Sequence, residues 1–230
     1  MSRMDQNEGE ESLIPTGMES LNNELERGGI QEGSILTVTG PGHSIGRRVC
    51  YNLCRDVPLE YFTVGHDGTR FESLLADASP VSESNISYRP IPVDNPDEAL
   101  QSALSDLRSE IVPGSILLVD AINLIEEAGI SELASVLNEL STIVDTTDSL
   151  AILYGIDEQG TTHENRWFTK GHTGGVFYVI HDAQNDGVSV KLRIDRLPSG
   201  QSLQDTGSDR VYEVPFGIDM GLDTTKTLSP

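Results

Sequence analysis

The chain has 230 residues, 37% of them hydrophobic and 23% charged, enough for one globular domain with a sizeable core. Thirty-seven Asp and Glu face fifteen Lys and Arg, a net charge of −22, and only Lys170, Lys191 and Lys226 are lysines. No run of about eighteen apolar residues is present to span a membrane, the acidic start Met1 to Glu11 does not read as a secretory signal, and Cys50 and Cys54 make no disulfide framework. The expected location is the cytoplasm.

Residues 1–12 hold four acids and few hydrophobes and are predicted to be a disordered lead-in. Thr16-Gly17 opens a short helix, Met18 to Leu25, closed by the glycine stop Gly28-Gly29. Ser34 to Thr39 reads as a strand, followed by the turn Gly40-Pro-Gly-His-Ser-Ile-Gly46 and a helix from Arg47 to about Arg55. Leu59 to Val64 is a second strand, Phe71 to Ala78 a short helix and Ile86 to Ile91 a third strand. From Pro96 to Glu110, Ala99, Leu100, Ala103, Leu104 and Leu107 recur at helical spacing. Ser115 to Asp120 is an apolar strand ending in an acid. Ile130 to Val144 is a long helix with Leu133, Val136, Leu137, Leu140 and Val144 on one face, and Leu150 to Ile156 is another buried strand.

Strand and helix alternate up to Ile156, which predicts a mainly parallel sheet covered by helices on both faces. After Gly174 the strands Val176 to Ile180, Val188 to Ile194 and Val211 to Pro215 follow with only turns between, and Asn185-Asp186-Gly187 is of hairpin type. A late antiparallel edge is expected. No repeat or linker divides the chain, so residues 13–222 read as one domain and 223–230 as a flexible tail.

The acid excess carries its own prediction. In dilute buffer like charges oppose the compact state, whereas in molar salt the Debye length falls to about 3 Å and the repulsion is screened. Acids spread along a chain nearly without Lys are the pattern of a halophile's cytoplasm; an acidic protein with no salt requirement is the alternative. Melting temperatures across a chloride series are expected to rise steadily into the molar range, and a flat or falling curve would remove the halophile reading. The same charge opposes non-specific DNA binding, which needs a basic face.

A strand, a glycine-rich turn and a helix in that order is where nucleotide folds hold phosphate on backbone N–H groups. The working pattern is Gly-x4-Gly-Lys-Ser/Thr, with the Lys on the terminal phosphates and the hydroxyl on Mg²⁺. Here five residues (Pro41, Gly42, His43, Ser44 and Ile45) separate Gly40 from Gly46, Arg47 stands in the Lys position and Arg48 in the hydroxyl position. Arg47 attracts phosphate but brings a planar fork; Arg48 cannot ligate Mg²⁺. A bare glycine-rich turn with no ligand is the competing reading. Arg47, Arg48 and Arg55 mark either a remnant anion site or charge balance against neighbouring acids.

Leu13-Ile-Pro-Thr-Gly-Met-Glu-Ser-Leu21, then Gly28-Gly-Ile-Gln-Glu-Gly-Ser-Ile-Leu-Thr-Val-Thr-Gly-Pro-Gly42, resembles the opening of RecA-superfamily ATPases of the archaeal KaiC-like type. The ending Val211-Tyr-Glu-Val-Pro215-Phe216-Gly-Ile218 is similar too, so the resemblance covers about Leu13 to Leu222. It implies a RecA-like three-layer α/β domain. Carried over by position, Asp120 matches the acid that helps hold Mg²⁺ through water, though an acid also caps many a parallel strand. His66 and Asp67 occupy the neighbourhood of the paired glutamates that activate water, and Asp67 is one methylene shorter. Arg196 keeps one cation of the motif that reaches a neighbouring subunit's nucleotide, and Pro198 replaces the second.

Phosphoryl transfer works by positioning and charge neutralisation, so losing the Lys, the hydroxyl, the glutamates and one cation together should abolish useful turnover. The expectation is a degenerate domain serving as a binding or regulatory module in signalling or gene regulation, with weak or no ATP binding. A slow ATPase using Arg47 and Asp67, or a recombination-mediator paralogue beside an active recombinase, are the rivals. ATP is the one cofactor the resemblance admits; a protein partner is expected, DNA and membrane are not, and a stable hexamer is not. His43, His66, His163, His172 and His181 lack the spacing of a zinc site, so no metal is assigned. Cys50 and Cys54 read as small core residues, and Trp167 with Phe168 as packing beside the sheet edge.

Overall fold

Five consecutive buried residues, Ile116 to Asp120, set the pattern of the molecule: a strand without an exposed side is covered on both faces. The computed structural model describes residues 12–41, 44–54, 57–65, 86–157, 164–184, 187–204 and 211–213. The lead-in before Ser12, Phe71 to Ala78, the turn residues Asn185 and Asp186, and the tail lie outside them. The first half contains β1 (Leu13–Ile14), α1 (Glu19–Glu24), β2 (Ile30–Gln31), β3 (Ile35–Gly40), α2 (Ser44–Leu53), β4 (Leu59–Val64) and β5 (Ile86–Ile91). The second contains α3 (Pro96–Leu107), β6 (Ile116–Asp120), α4 (Asn123–Ala128), α5 (Ile130–Thr147), β7 (Leu150–Ile156), α6 (Arg166–His172), β8 (Gly175–Gln184), β9 (Gly187–Arg196) and β10 (Val211–Glu213).

Eight strands form one sheet in the order β10-β9-β8-β3-β7-β6-β4-β5, and β1 pairs with β2 in a separate antiparallel ribbon. From β5 to β8 every pairing is parallel; β9 runs antiparallel to β8, and β10 antiparallel to β9. β3 lies in the interior between β7 and β8. The expected α/β architecture, mainly parallel with a late antiparallel edge, is present.

Two apolar clusters make the three layers. On one face Leu36 and Val38 of β3, Leu118 of β6 and Ile152 of β7 pack with Leu21 of α1 and Val49 and Leu53 of α2. On the other, Leu117, Val119 and Leu153 meet Leu100 and Leu104 of α3 and Leu133, Val136 and Leu140 of α5. Each such side chain stabilises the fold by about 1.5–3 kcal/mol through removal from water. The apolar spacing read in the sequence for the two long helices is thus the face each buries.

Three local expectations are corrected. The helix after the turn begins at Ser44, not Arg47, so Ser44, Ile45 and Gly46 are its first turn; a glycine within that turn concealed the start. β8 and β9 each run ten residues, longer than their apolar cores. The ribbon β1–β2 and the helices α4 and α6 were not predicted. Elements of two to seven residues hold too few periods for a hydrophobic pattern to register.

Candidate functional site

Successive strand residues point to opposite faces, so a residue two places from a buried one shares its side. Tyr61 of β4 and Tyr154 of β7 lie in the cluster beneath α2, and Asp120 of β6 shares a face with Leu118 of that cluster. The strand order brings all three under the first turns of α2, although they are far apart in sequence.

There Arg47 Nε donates to Asp120 Oδ2 at 2.7 Å. The Tyr61 hydroxyl donates to the same oxygen at 2.7 Å, and Tyr51 Oη lies 3.1 Å from Tyr61 Oη. The two rings meet edge to face, with centroids 5.9 Å apart. Asp120 is buried, while Arg47 keeps a fifth of its side chain exposed. Burial opposes the Arg47 charge, but the Asp120 carboxylate more than offsets it and raises the guanidinium's pKa. Burial, then the Asp120 charge, push the Tyr61 and Tyr51 phenols upward, so both stay neutral and act as hydrogen-bonding groups. Asp120 Oδ1 is buried and accepts no hydrogen bond among the described residues.

The turn above is pinned by a third phenol. Tyr154 Oη donates to the Pro41 carbonyl at 2.7 Å. A Cβ at position 46 would fall 2.0 Å from that hydroxyl, so residue 46 must be glycine for Tyr154 to occupy its place. Gly40 is pressed in the same way, 2.9 Å from a Val179 carbon for an added Cβ. The two glycines that frame the phosphate pattern in the sequence therefore each have a packing reason here, independent of any phosphate.

These residues are a poor fit for a magnesium ion: the expected acid already binds a guanidinium and a phenol on Oδ2, which leaves only its buried Oδ1, and a second cation there would be repelled by Arg47. Arg47 is paired with Asp120; the Arg48 side chain and Arg55 lie outside the described residues. Among the described residues no group of three or more His, Cys, Asp or Glu is placed to hold a metal ion.

The remaining expected site residues are placed as follows. Gly42, His43, His66 and Asp67 lie outside the described residues, as do the side chains of Ser44, Ile45 and Arg48. Arg196 is turned onto its own chain: it donates to the carbonyls of Lys170, Thr173 and Gly174, tying the end of α6 to β9. His172 stacks on Phe168 with centroids 3.8 Å apart. Cys50 and Cys54 are buried free thiols, pushed up in pKa by burial. Trp167 departs from its expected packing role, being 64% exposed.

Sequence reasoning missed a second ionic cluster on the opposite face. Arg166 and Glu126 are both 0% exposed and form a bidentate pair, Nε to Oε1 at 2.6 Å and Nη2 to Oε2 at 2.8 Å. Arg166 Nη1 also donates to Asp157 Oδ1 at 3.0 Å, and the Thr169 hydroxyl to Glu126 Oε1 at 2.6 Å. Gly155 leaves room for the guanidinium, which an added Cβ would strike at 1.9 Å. The available signal was a Gly-x-Asp at the end of β7, which leaves an open spot beside an acid.

The strand order defines an α/β domain with a mainly parallel sheet and a late antiparallel edge. Its structure is similar to that of the KaiC-like protein PH0186 from the hyperthermophilic archaeon Pyrococcus horikoshii OT3, with a TM-score of 0.63 and 13% identity, covering 89% of this chain and 99% of that one. A family described as "Family of unknown function (DUF7125)" matches residues 13–208, and the chain belongs to it. Among curated proteins no match was found. No helix among the described residues is long and apolar enough to cross a membrane.

Proposed function

We propose that this chain is a RecA/KaiC-like domain that has left ATP hydrolysis behind and serves as a binding or regulatory module, in signalling or gene regulation. The observation that supports this is the Arg47–Asp120 contact. Hydrolysis in the resembling ATPases needs the Asp120 position free to help hold Mg²⁺ and the cation of the loop free to meet phosphate. Here each holds the other. At about 4 Å the guanidinium alone would oppose a divalent ion by roughly 8 kcal/mol at an effective dielectric of about 20, a term that largely cancels the attraction of the Asp120 carboxylate beside it. The acid excess supports a working environment in the salt-loaded cytoplasm of a halophilic archaeon. Arg196, engaged with the end of α6, supports a monomer, dimer or partner-dependent complex over a stable hexamer.

Calorimetry with ATP in molar salt, with and without Mg²⁺, tests the reading. The expected result is weak or absent heat that Mg²⁺ does not increase, and no phosphate release. Binding that is weak yet unaffected by Mg²⁺ fits a nucleotide held by Arg47 without turnover. Tight Mg²⁺-dependent binding with phosphate release abolished by Asp67→Ala would make the protein a working ATPase.

A further inference from the structure

The chain is strongly acidic, yet one stretch reverses the sign. Residues 166–196 carry five Lys and Arg against three Asp, within a chain of net charge −22; Arg166 is buried on Glu126 and Asp157, which leaves four, and Lys170 Nζ lies 3.8 Å from Asp157 Oδ2. This stretch is α6, β8 and β9, and the sheet shows why its charge matters. In β8 and β9 one side is buried: Phe177, Val179, Leu192 and Ile194. The alternate side is open, with Tyr178, Ile180 and Lys191 half-buried and Arg193 and Asp195 exposed. Register puts Tyr178 opposite Arg193, and Ile180 opposite Lys191.

On that side the Tyr178 ring sits between two cations, with Lys170 Nζ 4.7 Å and Arg193 Cζ 4.3 Å from its centroid. Trp167 stands one turn before Lys170 on α6 and is the most exposed large hydrophobic residue among the described residues. The Arg196 contacts to the carbonyls at the end of α6 hold helix and strand together as one surface. An indole left in water one helical turn from a cation that sits over a phenol, on a half-open sheet face, is the composition of a recognition surface: aromatic anchors with Arg at the rim.

We infer that this face docks an acidic segment of a partner protein carrying aliphatic side chains. Carboxylates would meet the exposed Arg193 fork first, with the Lys170 ammonium shared with Asp157. Aliphatic groups would cover Trp167, Tyr178 and Ile180. Charge complementarity selects this occupant: in a chain of net charge −22, a local excess of cations gives an acidic segment a place to dock and an orientation. Molar salt screens the long-range attraction but leaves the apolar contact intact. A nucleic-acid strand is the poorer match. Such strands are tracked by rows of cations that neutralise many phosphates, whereas here Asp195 interrupts a few, in a molecule that repels polyanions. The inference is independent of whether the turn under α2 binds nucleotide.

Trp167 is the only tryptophan, so its emission reports on this face alone. The full-length protein is titrated, without nucleotide, with a short synthetic peptide of glutamate and leucine, in low and in molar salt. The expected result is a saturable blue shift of Trp167 emission, with affinity falling about tenfold in Arg193→Glu and less in Lys170→Gln, both keeping the parent circular dichroism. A version of the peptide with lysine for glutamate should give no shift. The inference is overturned by any of four outcomes: no shift with the acidic peptide, an equal shift with the lysine version, a stronger shift with single-stranded oligodeoxythymidylate, or a shift on raising protein concentration alone, which would make the occupant a second copy. Should Arg193→Glu fail to fold, unchanged affinity in Lys170→Gln overturns it as well. None of these readings depends on the ATP calorimetry, so the two conclusions fail separately.

Discussion

Arg166→Ala is expected to lower the unfolding free energy by about 4 kcal/mol, a large share of the roughly 5–15 kcal/mol that holds a typical domain together. The size follows from what remains behind. Glu126 is wholly buried, and both its carboxylate oxygens are bound by the Arg166 guanidinium. With that guanidinium gone, the Thr169 hydroxyl still donates to Oε1, but the buried carboxylate has lost its bidentate ionic partner and is heavily penalised. The side chain also links α4, α6 and the end of β7, so its loss loosens three elements together. Denaturant unfolding in molar salt measures the effect. The double variant Arg166→Met with Glu126→Gln should recover most of the loss, because it removes the buried carboxylate left without its guanidinium. A single-variant loss of under about 1 kcal/mol would mean that the pair behaves as a surface bridge.

Arg47→Met comes next, at about 3 kcal/mol or roughly 10 °C in melting temperature. The expected loss is smaller because the Arg47 side chain is 19% exposed and Asp120 keeps the Tyr61 hydroxyl. Asp120→Asn on the Arg47→Met background should restore stability, since the amide no longer needs a counter-charge. A neutral Arg47→Met would show that Asp120 does not depend on its guanidinium, and would remove the main support for an acid closed to metal. The comparison is cleanest in molar salt, where the general repulsion of the −22 charge is screened and only the local pair differs.

Much of this molecule was legible along the chain. Buried strands such as Ile116–Asp120 and Leu150–Ile156 announce two-sided cover, because a continuous apolar run fits only a strand sealed on both faces. The one-faced spacing of Leu133, Val136, Leu137 and Leu140 marks α5 for the same local reason. Asp120 at the end of β6 and Arg47 after the glycine turn were both visible as residues of interest. Their partnership was not, because it joins residues 73 positions apart and depends on β7 lying between β3 and β6. Nor was the reason for Gly46, which is the ring of Tyr154, 108 residues later in the chain. Glu126 and Arg166 carry no signal along the chain; their pairing exists only where Arg166 packs against Gly155 and meets Glu126 out of water. Periodicity is a property of neighbours in sequence and determines which elements form and which face each buries. Which charges meet beneath those faces is decided by strand order and register, and these exist only once the sheet has assembled.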